Sequence, residues 1–475
     1  MTDRDRRVRI YEAPAGEAMS SEYEVTVGGR PVPVYVCRVS AMPFNQVWPG
    51  YQRPIDQTEP AAFAAWDMAG EAEVEVVSIR PIESVAVRPS SRGITPRVEG
   101  RRIRFTLDGP GAVTVEVNGW HHALHLFADA PADVPPDRDD PNVIWFGPGV
   151  HDVGPMTLKS NQALYLAGGA VVYGSVQASG ASNLRILGRG ILDSSKLPRG
   201  RGGGSIRLTD CRDVAIDGVI LRDPAAWCLS AFGCEQVRIS RVKLIGLWRY
   251  NADGIDLCNS SDVVIRDCFI RSFDDSIVIK GMPRHAAKPV RNVLAERCVI
   301  WNDWGRALEI GAETCAPEIA DVTFRDIDII RTNYVALDIQ HGDNATVRNI
   351  TFENIDLEID ETNLRPTIQQ GPEDRFVPDA DFCPRLMVIV IRPTMWTEHT
   401  ERGSVQDITF RDIRVTGVPR PPSSFDGFDD AHGVRGVRIE DLSFNGRRAA
   451  TLDDVDVTVG PYVEDVTVKQ GHKAK

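Results

Sequence analysis

The sequence predicts an all-β protein, a right-handed parallel β-helix preceded by an N-terminal antiparallel β-sandwich. Three observations carry this. Short apolar-alternating segments recur along the second part of the chain, opening at Asn183, Asp213, Gln236, Asp262, Asn292, Asp321, Asn349, Asp407, Gly436 and Asp465. Their first apolar residues lie 30, 23, 26, 30, 29, 28, 58, 29 and 29 residues apart, and a period of about 20–50 residues is the mark of stacked repeats. Between them nothing shows the 3.6-residue periodicity that a helix-bearing repeat requires, so a coil of strands is favoured over a leucine-rich horseshoe. The 58-residue interval reads as two periods, with the intervening strand at Leu386 to Ile391.

Residues 1 to about 130 lack the repeat. Apolar and polar residues alternate there in Tyr23 to Val27, Val32 to Val36, Ala72 to Ile79, Ser84 to Val87, Ile103 to Leu107 and Ala112 to Val117. Pro, Gly and charged turns separate these segments, as in a sandwich of antiparallel sheets. The segment Tyr51 to Met68 has room for a short helix around Pro60 to Trp66, without a signal that requires one. The acidic, Pro-rich run Asp129 to Pro141 cannot build a core and reads as the linker. The expected division is therefore 1–130 for the sandwich and 131–475 for the β-helix.

Lys and Arg total 54 against 67 Asp and Glu, a net charge of −13 without a basic run. That balance argues against nucleic acid as a partner and makes a highly anionic polymer a less natural substrate, although a local basic patch overrides a net total. No apolar stretch of about 18 residues exists, which excludes a membrane helix. The first residues show no apolar run followed by a cleavage site. The nine cysteines form no paired framework and no C-x-x-C, so a reduced, cytoplasmic location is expected. A homo-oligomer is compatible with the exposed ends of a solenoid.

Three aspartates concentrate the chemistry. Asp253 stands in Asn251-Ala252-Asp253-Gly254-Ile255-Asp256, and Asp274 and Asp275 in Phe273-Asp274-Asp275-Ser276-Ile277-Val278-Ile279-Lys280. Separations of 21 and 22 residues place them on adjacent turns, roughly 4.8 Å apart along the hydrogen-bonding direction. Carboxylates that close raise one another's pKa, so one keeps a proton while another is charged. Glycoside hydrolysis needs that division of labour. Adjacent strand residues face opposite ways, so only a bend or bulge can bring Asp274 and Asp275 to one cleft. Gly254 supplies such a bend after Asp253, and Asp256 reads as a supporting carboxylate.

These motifs resemble the family 28 glycoside hydrolases, the polygalacturonase group, over residues 143 to 445. Asn251 to Asp256 is similar to that family's Asn-Thr-Asp-Gly-Ile-Asp, and Asp274 to Gly281 to its Asp-Asp-Cys-Ile-Ala-Ile-Lys-Ser-Gly. The resemblance implies a parallel β-helix, Asp274 as general acid, Asp253 and Asp275 holding and activating water, inversion at the anomeric carbon, and no metal or organic cofactor. Two departures stand out. Gly305-Arg306-Ala307 replaces the family's Gly-His-Gly, and Leu337-Asp338-Ile339-Gln340-His341 stands where its carboxylate-gripping Arg-Ile-Lys would be. A leading sandwich is also the layout of the family 49 dextranases and isopullulanases, which act on neutral glucans.

The resemblance implies a sugar contact for Lys280. Arg306 holds a substrate hydroxyl or carboxylate, or orients an aspartate. Glu309 and Asp338 bind sugar hydroxyls or replace a missing base, while Gln340 and His341 close the same strand. Trp248, Tyr250 and Trp304, together with Trp301, Tyr334 and Trp396, are candidate stacking platforms. The expected function is an inverting, exo-acting glycosidase on an oligo- or polysaccharide, a neutral glycan first. The alternatives are a pectin-type hydrolase and a β-helical lyase, with Lys280 or Arg306 as its base and Ca²⁺ in the acid cluster. A non-catalytic sugar-binding module is a third reading, and it leaves the aspartate trio unexplained.

Overall fold

A computed structural model describes residues 8–42, 44–46, 55–131, 135–199, 204–369, 377 and 382–471. Residues 132–134 of the expected linker lie outside these residues.

Residues 8–129 form two sheets around one apolar core. One sheet is Arg30–Val32, Tyr23–Val27, Ala72–Ser78, Arg102–Leu107 and Arg97–Glu99, all antiparallel. The other is built on Thr58–Met68, flanked by Val8–Ile10 and Tyr35–Ser40 and paired in parallel with Leu124–Asp129. Pro60 to Trp66 is thus strand and not helix. Its Ala62, Ala64, Trp66 and Met68 fill the core between the sheets, while Ala61 and Phe63 join a second cluster behind it. Burial on both faces overrides the local preference of an alanine-rich stretch.

From Val143 onward the described residues wind as a coil of 30 strands, parallel throughout except for the pair Ser443–Phe444 and Arg447–Arg448. Each full turn contributes to three stacked sheets. Every repeat opens on a residue with left-handed backbone, among them Asn183, Asp213, Asp262, Asn292, Asp321, Asn349, Asp407 and Asp465, with φ between 50° and 57°. Asn and Asp tolerate that conformation because their short polar side chains bond locally. The side chains also bond from turn to turn, as Asn292 to Asp262 at 2.9 Å. The residue after each opener points inward, and Phe324, Phe352 and Phe410 stack along the axis with centroids 5.1 Å apart.

The 58-residue interval is one turn, not two. Ile350 pairs directly with Ile408, and Arg385–Ile391 is that turn's strand in the third sheet, paired with Val335–His341. A long excursion after Asp360 accounts for the extra length, which periodicity alone cannot distinguish from a missed turn.

The sandwich packs on the second sheet of the coil. Tyr35, Val39, Phe63 and Phe127 meet Ile191, Ile220, Ile245, Phe269 and Trp301 in one cluster. Buried ion pairs cross the same seam: Arg189 to Asp67 at 2.7 Å, Arg222 to Glu17 at 2.7 Å, and Lys243 to Asp129. Such pairs add little net stability but penalise misdocking, because a lone buried charge is expensive.

Replacing Phe352 by Ala should cost about 3–5 kcal/mol through the cavity it opens in the phenylalanine stack. Urea unfolding followed by circular dichroism checks this, and a cost near zero would mean the stack contributes no packing.

Candidate active site

The third sheet carries the site. Strands Ile255–Cys258, Ile277–Gly281, Arg306–Thr314 and Val335–His341 run in register. Their inward residues, Ile255, Leu257, Ile277, Ile279, Leu308, Ile310, Leu337 and Ile339, belong to the core. The alternate positions form a second column, Ser230, Asp256, Val278, Glu309, Asp338 and Val388.

Asp253, Asp274 and Asp275 precede the first two strands, in bends rather than in regular strand. Ile255 pairs with Ile277, an offset of 22 residues, the same as from Asp253 to Asp275. The Gly254 N–H donates to the Asp275 carbonyl at 2.8 Å and the Asp274 N–H to Ala252 at 3.2 Å. The Asp274 carbonyl accepts from Ser272 Oγ and Asn302 Nδ2, each at 2.7 Å. This bend frees both aspartates from strand alternation. Gly305 permits it, since a Cβ there would lie 2.6 Å from the Asp274 carbonyl carbon and the Asp275 nitrogen.

Two cations sit among seven acids. Lys280 Nζ lies 3.4 Å from Glu313, 3.7 Å from Asp253, 3.9 Å from Asp256 and 4.0 Å from Asp275. Arg306 lies 3.3 Å from Asp338 and 3.7 Å from both Asp275 and Glu309, and donates to Gln340 Oε1 at 2.7 Å. Burial penalises charge on Asp275, but Arg306, Lys280, a bond from Glu309 and the Arg306 backbone N–H together hold its pKa below the ordinary value. Burial and the charges of Asp253 and Asp275 push Asp274 far up. Burial and Asp256 do the same to Asp253, and burial and Asp275 to Glu309. Asp256 is raised by burial even against Lys280, and burial brings Asp338 to about 6. Lys280 is held above the normal lysine range because its four carboxylates outweigh burial.

The arrangement therefore sets Asp274, whose pKa is raised, beside Asp275, whose pKa is lowered, its neighbour in sequence. Both are 6 % exposed and Asp253 2 %, so the acids line a floor that solvent barely reaches.

The remaining expected residues divide. Gln340 and Asp338 join Arg306, and Tyr334 lies under its guanidinium at 5.0 Å. His341 does not join them. It is fully buried, shares the inward direction of Leu337 and Ile339, bonds Thr314 Oγ1 at 2.7 Å, and has a pKa lowered by burial to about 4. The Trp248 indole is buried, donates to Asp223 at 2.9 Å and carries the Arg249 guanidinium over its ring. Tyr250 carries Arg199 at 5.3 Å. Trp304 is half-buried and stacks on Phe273. Trp301 is no platform, since it is fully buried at the seam with the sandwich.

Sequence reasoning missed Glu313, the acid nearest Lys280, because the strand Arg306–Thr314 breaks register with Ile277–Gly281 beyond Ile279. It also missed Asn302, which has no motif of its own. The ring of Trp227 also lies against the site, 4.5 Å from Lys280 Nζ. Among the described residues, no group of three or more His, Cys, Asp or Glu is disposed to hold a metal ion.

Residues 176–365 match the model of the glycosyl hydrolases family 28. The resemblance read from the two aspartate motifs is thereby borne out. Over 149 residues the chain is 26% identical to the probable rhamnogalacturonase B of Aspergillus terreus, covering 31% of this chain and 26% of that protein. Over 153 residues it is 24% identical to rhamnogalacturonase A of Aspergillus aculeatus, 32% of each. The chain thus spans a quarter to a third of the length of these curated relatives. Among solved structures, Dex49A from Penicillium minioluteum superposes with a TM-score of 0.65 at 15% identity, over 97% of this chain and 96% of that one. An exopolygalacturonase from Thermotoga maritima gives 0.52 at 19% identity, over 69% and 83%. These likenesses confirm the fold, a parallel β-helix behind a sandwich.

The relatives correct the cytoplasmic expectation, because fungal rhamnogalacturonases and family 28 enzymes are secreted and extracellular. The cysteine argument fails for a physical reason. Eight of the nine free cysteines are buried, where a thiol packs as a small hydrophobe whatever the compartment.

Asp256 ionises near the ordinary value when unfolded and far above it when folded. Its contribution to stability therefore declines as pH rises from about 4 toward the folded pKa. Asp256→Asn removes that decline and should raise the thermal midpoint near pH 7, with a gain that shrinks toward pH 4. Calorimetry across pH checks this, and a variant less stable than the parent at every pH would show the carboxyl to be ionised and paired.

Proposed function

We propose that this protein is a glycoside hydrolase acting on a polysaccharide or oligosaccharide by general acid–base catalysis with inversion. The feature that supports the reading is the opposite direction in which burial and neighbouring charges shift Asp274 and Asp275 at one bend. Asp274, kept protonated by burial and by its neighbours, donates to the leaving glycosidic oxygen. Asp275, kept charged by Arg306 and Lys280, takes a proton from water on the other face of the sugar, with Asp253 orienting that water. Asp253 is itself raised in pKa, so it serves as a hydrogen-bonding partner and Asp275 as the base. Lys280, Arg306 and Gln340 set these charges and reach the sugar hydroxyls.

Both cations of the site are already engaged by carboxylates. This favours a neutral sugar at the bond being cut. The rhamnogalacturonase relatives support a second reading, a pectin-type polymer. The lyase reading lacks a base, since Lys280 holds its proton above the normal lysine range and an arginine is not deprotonated in proteins.

Asp274→Asn and Asp275→Asn should each lower kcat about 10²–10⁴-fold, read as reducing ends released from neutral and pectin-type oligosaccharides. Proton NMR of the first product should show the inverted anomer. Undiminished turnover in Asp274→Asn, or unsaturated products absorbing in the ultraviolet, would overturn the assignment.

The activity of the parent should follow a bell in pH. The acid limb reflects the lowered Asp275 and the alkaline limb the raised Asp274. Rates that keep rising past the ordinary carboxylate range without an alkaline limb would remove Asp274 from the role of acid.

A further inference from the structure

Two strands of the second sheet run directly into the bends that carry the site. Phe269–Ser272 leads into Phe273-Asp274-Asp275, and Val299–Asn302 into Asp303-Trp304-Gly305-Arg306. The strands pair in register, Phe269 with Val299 and Arg271 with Trp301. Beyond them hydrogen bonds lace the bends together. The Asp303 N–H donates to the Ser272 carbonyl at 2.9 Å and the Gly305 N–H to that of Phe273 at 3.0 Å. The Arg306 N–H reaches Asp275 Oδ1 at 3.1 Å. The separation of the Arg306 guanidinium from Asp275, 3.7 Å, is set at this lacing.

Asp303 anchors it. Its carbonyl accepts from Asn333 Nδ2 at 3.0 Å, and its carboxyl from the Trp301 indole at 2.7 Å and Arg271 Nε at 3.3 Å. Burial raises the pKa of this carboxyl and Arg271 opposes the rise. Arg271 is fully buried, three residues before Asp274. Its Nη1 lies 3.1 Å from Nε2 of His125, which belongs to the sandwich strand Leu124–Asp129. Nδ1 of His125 lies 2.8 Å from Oγ1 of Thr114, its cross-strand partner. Burial, and then the Arg271 charge, hold His125 well below the ordinary histidine range, so the imidazole is neutral. An arginine only donates. Nε2 therefore accepts, and the ring proton sits on Nδ1, facing Thr114. A chain of polar contacts thus runs from the interior of the sandwich to the catalytic bend. Packing alone does not call for it, because Phe127, Phe269 and Trp301 already close the seam and a buried arginine is costly unless it is held.

We propose that His125, Arg271 and Asp303 are positioning residues, through which the sandwich fixes the spacing of the Asp274–Asp275 bend from Arg306. This rests on the hydrolase reading above, in which Asp275 is the base, and it makes the sandwich a working part of the active site. Without the His125 acceptor, Nη1 of Arg271 is left unpaired beside Nη2, which has no partner among the described residues. Relief of that penalty comes from a shift of the strand end that carries the bend.

His125→Leu removes the acceptor with little change of size. It should lower kcat about 10- to 100-fold with KM little changed. It should also move the acid limb of the pH–rate profile upward, because an Arg306 held less closely depresses Asp275 less. His125→Gln, whose amide oxygen accepts the Arg271 bond, should recover most of both. A lower melting temperature with the parent's kcat and acid limb would overturn the proposal, since a merely structural residue moves stability alone. Should His125→Leu fail to fold, Thr114→Val is read in the same way; it keeps the imidazole and removes the oxygen that fixes its tautomer. Infrared titration of Asp275 with ¹³C-labelled aspartate, subtracting Asp275→Asn, needs no turnover. If the parent cleaves neither neutral nor pectin-type oligosaccharides, the hydrolase reading falls. An Asp275 titration raised in the folded variant then still supports the positioning role, and an unmoved one overturns it.

Discussion

The structure depends on a charge imbalance that its fold forces on it. Stacked parallel strands put like positions of successive turns a few ångströms apart, and here those positions are acidic on turn after turn: Asp253 and Asp256, Asp274 and Asp275, Glu309 and Glu313, then Asp338. Lys280 and Arg306 are the cations set among them. With burial on every side, the acids cannot all ionise, and the cations decide which does. Asp275 lies between both cations and keeps its charge. Asp274, one residue away, is pushed up in pKa by burial and by the charges of Asp253 and Asp275. A difference of one position in a bend thus becomes a difference of chemical role.

The rest of the chain serves that bend. The coil core below it is apolar and close-packed, so the strands carrying the acids have a fixed register. The sandwich covers the second sheet through aromatic packing and buried ion pairs. Along that third sheet the column changes character from Arg207 and Ser230 to the acids and then to Val388 and Ser424. A glycan lying across successive turns would meet a different environment at each sugar.

Much of this was legible in the sequence because β-helices write their geometry into spacing. The 22-residue offset between Asp253 and Asp275 is the offset of the strands they precede, and the Asn or Asp opening each repeat is the left-handed corner residue. The bend at Asp274 followed from requiring two neighbours to share a cleft. What spacing does not encode was missed. The 58-residue turn looked like two because an excursion has no periodicity. His341 was offered as a sugar ligand, yet its inward direction, shared with Leu337 and Ile339, was readable from alternation alone. Pro60 to Trp66 had room for a helix because its small residues satisfy helix propensity, and only two-sided burial makes it a strand. Glu313 came into reach of Lys280 through a register break that no local signal announces.

Asp274 is expected to be protonated and Asp275 ionised in the resting protein at neutral pH. Infrared difference spectroscopy with ¹³C-labelled aspartate measures this directly by subtracting the spectrum of Asp274→Asn from that of the parent at pH 7. The account predicts loss of a protonated carboxyl band with the carboxylate bands preserved. Loss of a carboxylate band instead would show Asp274 to be ionised and would contradict the assignment of acid and base.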